Sequence, residues 1–264
     1  MKKGLTQIVL GRERKLAEWM PQAKAAGYEG LEILLTDEGD LPLGSTESDY
    51  QRLRDLSAQS GVELAGLCIG VSDRGSLTTG RPADAERFQE VTVQALEASV
   101  ALGIDTILVI PGGVTEEVPY ERAYERALAG MKELAPEAER RGVNLAIEYV
   151  WNKLFLSPLE MRRFLDEVGS EYVGFYMDTG NMVIFGYPEQ WIRLCGPYLK
   201  KVHFKDFRRR GYQWTPLLEG DVNWPAVMAA LREIGYDDYL ISEVSGDWAA
   251  HTRTAQAMEK ILQM

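Results

Sequence analysis

The sequence alternates eight short apolar runs with longer stretches in which apolar residues recur at helical spacing. The apolar runs, rich in β-branched residues or leucine, lie near 5–10, 30–35, 62–69, 104–110, 143–149, 172–178, 199–205 and 239–243. Runs of this kind are typical of strands that are buried on both faces of a parallel sheet, and the stretches between them indicate helices. A regular alternation of strand and helix predicts the α/β class.

Glycines mark the ends of the predicted helices. Several stand directly before an apolar run, namely Gly27, Gly61, Gly103, Gly142 and Gly235. Glycine is favoured there because it takes the left-handed conformation that closes a helix without a Cβ clash. Helix starts are marked as well, since Ser157 before Pro158 and Asn223 before Trp224-Pro225 have the pattern of N-caps.

Two architectures are built from repeated strand–helix units: a closed (β/α)₈ barrel and an open doubly wound sheet. The count of eight units favours the barrel, and no Gly-x-Gly-x-x-Gly pattern follows the first strand. We therefore predict one TIM-barrel domain over residues 1–264. The chemistry of such barrels lies at the C-terminal ends of the strands, so the residues that close each apolar run are the candidates for a site.

Four consecutive predicted strands deliver potential metal ligands to this rim. Glu148 closes the fifth strand, Asp178 the sixth and Glu243 the eighth, while His203 lies near the end of the seventh. Three carboxylates buried together are unstable without a cation, because each loses its hydration and repels the others. Three carboxylates and one imidazole suit Mn²⁺, Mg²⁺, Co²⁺ or Zn²⁺. The sequence predicts a site for one divalent metal ion.

Each of the four residues also has a purely structural interpretation. Glu148 could pair with Lys153, and Asp178 could cap the following helix, since Asp-Thr-Gly-Asn is turn chemistry. His203 could be a hydrogen-bonded core residue, and Glu243 could simply end its strand. The metal site is favoured because a barrel would bring all four to the same rim.

Other titratable residues carry weaker signals. Glu32, in the second strand, either points into the barrel mouth or forms a salt bridge in the interior. His251 is expected to be a surface or packing residue, and Cys68 a core residue because no basic motif lies near it.

Charge and composition exclude several classes of function. The chain has a net charge of −11, which argues against binding to nucleic acid or anionic lipid. No apolar run approaches the roughly 20 residues that span a bilayer, and charged residues at 12–15 interrupt any signal-like segment after Lys2 and Lys3. Two cysteines cannot build a disulfide framework. We expect a cytoplasmic protein.

The strand ends resemble those of the xylose-isomerase-like sugar phosphate isomerase and epimerase superfamily, in particular its ketose 3-epimerase and L-xylulose-5-phosphate 3-epimerase-like branch. The matching segments are Ala146-Ile147-Glu148, Met177-Asp178-Thr179-Gly180-Asn181, Val202-His203-Phe204-Lys205-Asp206, Glu219-Gly220-Asp221-Val222-Asn223-Trp224 and Ile241-Ser242-Glu243. The resemblance implies that the four rim residues bind one divalent metal. It also implies that Glu148 and Glu243 act as acid and base in C3 epimerisation of a ketose or ketose phosphate, and that the protein forms a homo-oligomer.

We expect substrate contacts from loop residues on the same face: Asn152, Lys153, Asn181, Lys205 and Arg208, with Arg209 and Arg210 as neighbours of the last. Asn181 stands where several family members have histidine. The segment after Glu148 lacks the second acidic residue of free-ketose epimerases, and a lysine at position 153 would suit a phosphorylated sugar. An equally simple interpretation is that Lys153 faces solvent.

Other functions on the same scaffold stay open. An inosose-dehydratase-like lyase and an aldose–ketose isomerase share the metal and the proton removal, and a sugar-binding barrel without catalysis would share the fold. The two opposed glutamates argue against a binding protein. The endonuclease IV branch is rejected because its metal cluster needs several histidines, whereas this chain has two.

Overall fold

Eight parallel strands close into a barrel in the computed structural model, which describes residues 1–10 and 15–264. The barrel strands are β1 (Lys2–Thr6), β2 (Gly30–Leu35), β3 (Glu63–Ile69), β4 (Thr106–Val109), β5 (Asn144–Glu148), β6 (Val173–Asp178), β7 (Leu199–Phe204) and β10 (Tyr239–Ser242). Around the barrel they follow the order β1-β10-β7-β6-β5-β4-β3-β2. The prediction of a (β/α)₈ TIM barrel is confirmed.

Helices connect the strands on the outside of the barrel. They are α1 (Leu16–Ala26), α2 (Glu47–Ser60), α3 (Pro82–Leu102), α4 (Tyr120–Arg141), α5 (Pro158–Val168), α6 (Thr179–Val183), α7 (Pro188–Cys195), α8 (Trp224–Glu233) and α9 (Trp248–Leu262). An antiparallel hairpin of β8 (Asp206–Arg208) and β9 (Gln213–Thr215) follows β7 outside the barrel. Among the described helices, none is long and apolar enough to cross a membrane.

The predicted helix boundaries agree with the backbone. All five glycines that were expected to end helices have positive φ, for example 70° at Gly103 and 66° at Gly142. At the helix starts, Ser157 accepts a hydrogen bond from the backbone of Glu160 at 3.2 Å, and Asn223 accepts one from Ala226 at 3.3 Å.

The first predicted strand is wrong in its bounds. The apolar run at 5–10 was expected to be extended, but β1 ends at Thr6 and Gln7–Leu10 forms a 3₁₀ turn. The side-chain oxygen of Gln7 accepts the backbone N–H of Leu34 at 2.8 Å. The pairing of β1 with β2 ends at Thr6 and Glu32, and the side chain of Gln7 then accepts the backbone N–H of Leu34 in place of a strand.

The apolar core has two layers, and the inner one positions the site. The larger layer fills the space between strands and helices. A smaller cluster of inward-facing side chains fills the barrel: Leu34, Ala65, Cys68, Leu108, Ala146, Tyr176, Tyr239 and Ile241. Since strand side chains alternate between faces, the residues two positions after Ala146, Tyr176 and Ile241 also face inward. These residues are Glu148, Asp178 and Glu243.

Candidate metal centre and active site

The barrel brings the four predicted ligands together at the C-terminal ends of adjacent strands. Asp178 on β6 is the register partner of His203 on β7. Glu243 follows β10, and its backbone N–H donates to Phe204 of β7 at 3.0 Å. One potential ligand atom from each of Glu148, Asp178, His203 and Glu243 lies within 4.8 Å of the others. This convergence is the geometry that the strand ends predict.

The ring of His203 turns one nitrogen towards the carboxylates. Its Nδ1 atom lies 3.3 Å from Glu243 Oε2 and 3.6 Å from Glu148 Oε1. The side chains of His203 and Asp178 are fully buried, and Glu148 is nearly so. The cluster is therefore shielded from water on the barrel side.

The residues fit a divalent cation. In the part of the chain that the structure describes, Asp178 Oδ2 and His203 Nδ1 are buried without a hydrogen-bond partner. A buried polar atom left unsatisfied costs about 1–3 kcal/mol. A cation bound between these atoms satisfies both, and the donor set of carboxylate oxygens with one imidazole nitrogen is common for divalent ions.

The pKa shifts of the cluster residues also indicate a site for a cation. Burial raises the pKa of Asp178 well above its ordinary value, and burial also raises the pKa of Glu148. Burial opposes ionisation of Glu243, but the bond and charge of His203 outweigh it and lower the pKa of Glu243. Burial likewise opposes a charged His203, yet the surrounding carboxylates, Glu32 first, raise its pKa well above the usual range. The cluster favours positive charge at its centre.

Lys205 adds a cation at the edge of the cluster. It follows His203 by two residues, and its Nζ lies 2.9 Å from Glu243 Oε1 and 3.8 Å from Asp178 Oδ2. Burial works against its charge, but Asp178 and Glu243 outweigh burial and raise the pKa of Lys205. Of the predicted substrate residues, this one lies directly beside the ligands.

Asn181 also lies in the cluster. Its Nδ2 donates to Tyr149 O at 3.1 Å and to Glu148 Oε1 at 3.4 Å. Its backbone N–H donates to Asp178 Oδ1 at 2.7 Å. Asp178 therefore caps α6 with one oxygen, as its structural interpretation required, and keeps the other oxygen free for the cluster.

Comparison with known proteins places this chain in a family. The model of the xylose isomerase-like TIM barrel family matches residues 20–264. The chain belongs to this family. The predicted resemblance is thereby confirmed.

The family includes curated relatives over most of the chain. One is the L-ribulose-5-phosphate 3-epimerase UlaE of Salmonella paratyphi C (strain RKS4594), 28% identical over 244 residues, which are 89% of this chain and 85% of that protein. The corresponding protein of Escherichia coli (strain K12) is 26% identical over 248 residues, with coverage of 90% and 87%. These relatives confirm the prediction of an isomerase-type enzyme.

Solved structures of other proteins share the fold of this chain. The D-psicose 3-epimerase from Clostridium cellulolyticum H10, solved with D-tagatose, superposes with a TM-score of 0.84 at 20% identity, over all of this chain (100%) and 98% of that one. At this identity the likeness concerns the fold.

Two of the remaining predicted substrate residues, Asn152 and Arg208, donate hydrogen bonds to backbone carbonyl oxygens. Asn152 donates to Gly112 O at 2.5 Å and accepts from the backbone of Leu154 at 3.2 Å. Arg208, on the hairpin, donates to Glu219 O at 2.5 Å in the segment that follows β9. Lys153 is exposed, and over residues 1–10 and 15–264 no ion pair joins it to Glu148. The pairing of Glu148 with Lys153 is therefore wrong, because Glu148 faces His203 and Asn181 instead.

The arginines after Arg208 are placed differently from one another. Arg209 donates through Nε to Val183 O at 2.6 Å and through Nη2 to Gly186 O at 2.9 Å. Arg210 is exposed at the end of the hairpin. Arg209 thus connects the hairpin by hydrogen bonds to the end of α6 and to the segment that follows it.

Sequence reasoning missed an aromatic wall beside the cluster. The rings of Trp151 and Trp214 stack with centroids 5.1 Å apart and planes 14° apart, and Phe207 meets both edge-on. Lys205 Nζ lies 4.3 Å from the centroid of Trp214, within cation–π range. Trp151 also donates from Nε1 to Asn181 O at 3.1 Å. Two tryptophans in loops after β5 and β7 were the signal that could have revealed this wall.

Asp206 organises the loop that carries the Glu219–Trp224 motif. This buried carboxylate accepts hydrogen bonds from the loop and from the start of α8: from Phe207 N at 2.9 Å, Leu218 N at 3.0 Å, Gly220 N at 3.1 Å, Val222 N at 3.2 Å and Trp224 Nε1 at 3.2 Å. A Cβ on Gly220 would meet Asp206 Oδ1 at 2.1 Å, so the close approach requires glycine. The loop is built around this carboxylate.

Replacing Asp206 with alanine is expected to lower the free energy of unfolding by about 2–4 kcal/mol, because buried backbone donors lose their acceptor. Urea unfolding measures the loss. Glu219→Ala, an exposed position in the same loop, should stay within about 0.5 kcal/mol of the wild type. Equal effects of the two substitutions would contradict the role given to Asp206.

Proposed function

We propose that this protein is a divalent-metal-dependent epimerase that inverts C3 of a ketose, most naturally a ketose phosphate. The observation that carries the proposal is the pair Glu148 and Glu243 within one ligand cluster. In the barrel order, β5 and β10 stand on either side of β6 and β7. The two glutamates therefore approach the cluster from separate sides, as inversion of a carbon requires.

The relatives support the reaction and the position of the carbon. The curated UlaE proteins are named for the 3-epimerisation of L-ribulose 5-phosphate, and the solved structures of similar fold include 3-epimerases of free ketoses. Lys205, cationic and beside the ligands, favours an anionic substrate. We propose a phosphorylated ketose on these two grounds.

The mechanism assigned to the chain is a transfer of protons across the substrate carbon. One glutamate removes the proton next to the ketose carbonyl, and the other returns a proton to the opposite face. When bound, the divalent cation supplies the positive charge that stabilises the negative charge developing on the substrate oxygens. Asn181 directs its amide towards Glu148 and orients that carboxylate.

A panel of paired substrates tests the proposal. Each ketose is offered with and without its phosphate in D₂O with Mn²⁺ present, and solvent deuterium is followed at C3 by NMR. We expect deuterium at C3 together with the inverted sugar. Deuterium with loss of a hydroxyl would instead identify a dehydratase, and exchange at C1 with an aldose product would identify an aldose–ketose isomerase.

Replacing Lys205 with methionine is expected to raise KM for a ketose phosphate by about 10- to 150-fold, the value of a charge-assisted contact of about 1.5–3 kcal/mol. Steady-state kinetics on the phosphorylated and free forms of one sugar measure the effect. If both forms lose equally, Lys205 acts through Glu243 and not on the phosphate. Lys153→Met is the matched comparison. If it raises KM for the ketose phosphate as much as Lys205→Met does, the phosphate contact is better assigned to the loop after β5.

A further inference from the structure

Glu32 is a fully buried carboxylate inside the barrel, directly behind His203. It comes from β2, which lies three strands from β7 around the barrel, with β1 and β10 between them. Its Oε1 accepts from Thr6 Oγ1 at 2.6 Å and lies 3.0 Å from His203 Nε2, while Tyr176 donates its hydroxyl to Oε2. Of the two sequence interpretations of Glu32, the interior ion pair is the one that the structure shows.

These contacts fix which ring nitrogen of His203 is free. An ionised carboxylate can only accept hydrogen bonds, so the partner nitrogen Nε2 must carry the hydrogen. The neutral ring then keeps its lone pair on Nδ1. That atom faces Glu148 and Glu243 and is buried without a hydrogen-bond partner in the described chain. A divalent cation that displaces the second proton from the charged ring would therefore bind through Nδ1.

We infer that Glu32 is a positioning residue of the metal centre, which sets the orientation and tautomer of His203 and makes Nδ1 the metal-binding atom. The inference rests on the metal site of the proposed function. The negative charge of Glu32 also makes the imidazole of His203 a stronger electron-pair donor to a cation, as carboxylate partners of ligating histidines do. Thr6 and Tyr176 hold Glu32 in turn, so strands β1, β2, β6 and β7 share one hydrogen-bond network.

Metal affinity tests the inference without any substrate. Calorimetric titration with Mn²⁺ should show about 10- to 100-fold weaker binding in Glu32→Leu, the usual cost of removing such a partner. Glu32→Gln keeps the shape but not the charge and should fall between Glu32→Leu and the wild type. Thr6→Val removes a neighbouring hydrogen bond but leaves the contact of Glu32 with His203, so its loss should be clearly smaller. Wild-type affinity in both Glu32 variants would overturn the inference.

The tautomer of His203 can be observed directly by NMR. The spectrum is simple to assign because the chain contains two histidines, His203 and His251. In protein labelled with ¹⁵N-histidine and loaded with Zn²⁺, we expect His203 to carry its hydrogen on Nε2 and to bind the metal through Nδ1. His251→Gln assigns the second ring. A hydrogen on Nδ1, or metal on Nε2, in the Zn²⁺-loaded wild type would refute the assignment even if Glu32→Leu failed to fold.

The two readouts also separate this inference from the proposed reaction. Both measure the metal centre alone. Failure to epimerise any ketose would leave the affinity and tautomer results intact, whereas unchanged affinity would leave the epimerase proposal in place and remove only the role of Glu32.

Discussion

Glu148→Gln and Glu243→Gln are each expected to lower the rate of epimerisation by about 10²–10⁴-fold, the contribution of a positioned acid or base. Glutamine keeps the size of the side chain and an oxygen for the metal but cannot exchange a proton. Because the proposed mechanism needs one carboxylate on each face of the carbon, inversion should be slowed in both variants. Steady-state assays on the active ketose measure the loss.

The two glutamine variants should differ in the partial reaction. A variant with one working carboxylate can still exchange the C3 deuterium of one epimer with solvent, and the two variants should select opposite epimers. Metal content must be checked first, since both glutamates belong to the ligand cluster. If metal-loaded variants lose exchange with both epimers equally, a single base serves the reaction, and an isomerase becomes the better proposal.

Replacing His203 with alanine is expected to abolish tight metal binding. The change removes the nitrogen ligand and leaves Glu32 buried without its partner, so the loss should exceed the 10- to 100-fold effect of changing Glu32 alone. Metal analysis of the purified variant and titration with Mn²⁺ measure this. Wild-type occupancy would contradict the assignment of His203 as a ligand.

Thermal unfolding gives an independent view of the same variant. A metal that binds only the folded wild type stabilises it by about 2.7 kcal/mol at a concentration 100 times Kd. Added Mn²⁺ should therefore raise the Tm of the wild type and leave that of His203→Ala unchanged. His251→Gln is the control, because His251 is buried on α9 against Trp248, away from the ligand cluster. It should keep the metal-dependent rise.

The ligand cluster was predictable because it depends on two regular features. Barrel closure brings all strand ends to one rim, and the two-residue period of a strand fixes which side chains face inward. Glu148 after Ala146 and Asp178 after Tyr176 follow from these rules alone. Lys205, two residues after His203, follows from the same period.

Contacts across the barrel could not be predicted in the same way. Glu32 and His203 are 171 residues apart, and their meeting depends on the stagger between strands. That stagger includes register shifts between Leu31 and Glu32 on β2 and between Phe175 and Tyr176 on β6. Apolar periodicity contains no signal for a shift of one residue, so the sequence left Glu32 with two interpretations.

Loop side chains escaped prediction for a different reason. Arg208 and Arg209 stay predicted substrate contacts, but the carbonyl oxygens to which they donate, Glu219 O and Val183 O, could not be predicted. The direction of a loop side chain depends on backbone angles that a charge pattern does not encode. The hairpin of β8 and β9 was itself missed, since its strands have three residues each.

The stacked indoles of Trp151 and Trp214 make the rim optically visible. The two rings are nearly parallel, and the ammonium group of Lys205 lies 4.3 Å from the centroid of Trp214, so we expect both contacts to affect the tryptophan signals. A sugar phosphate that draws Lys205 away from the ring should change both the tryptophan fluorescence and the near-ultraviolet circular dichroism. Substrate dissociation constants then become measurable in metal-loaded Glu148→Gln and Glu243→Gln, in which turnover is expected to be slow, and binding can be measured separately from catalysis.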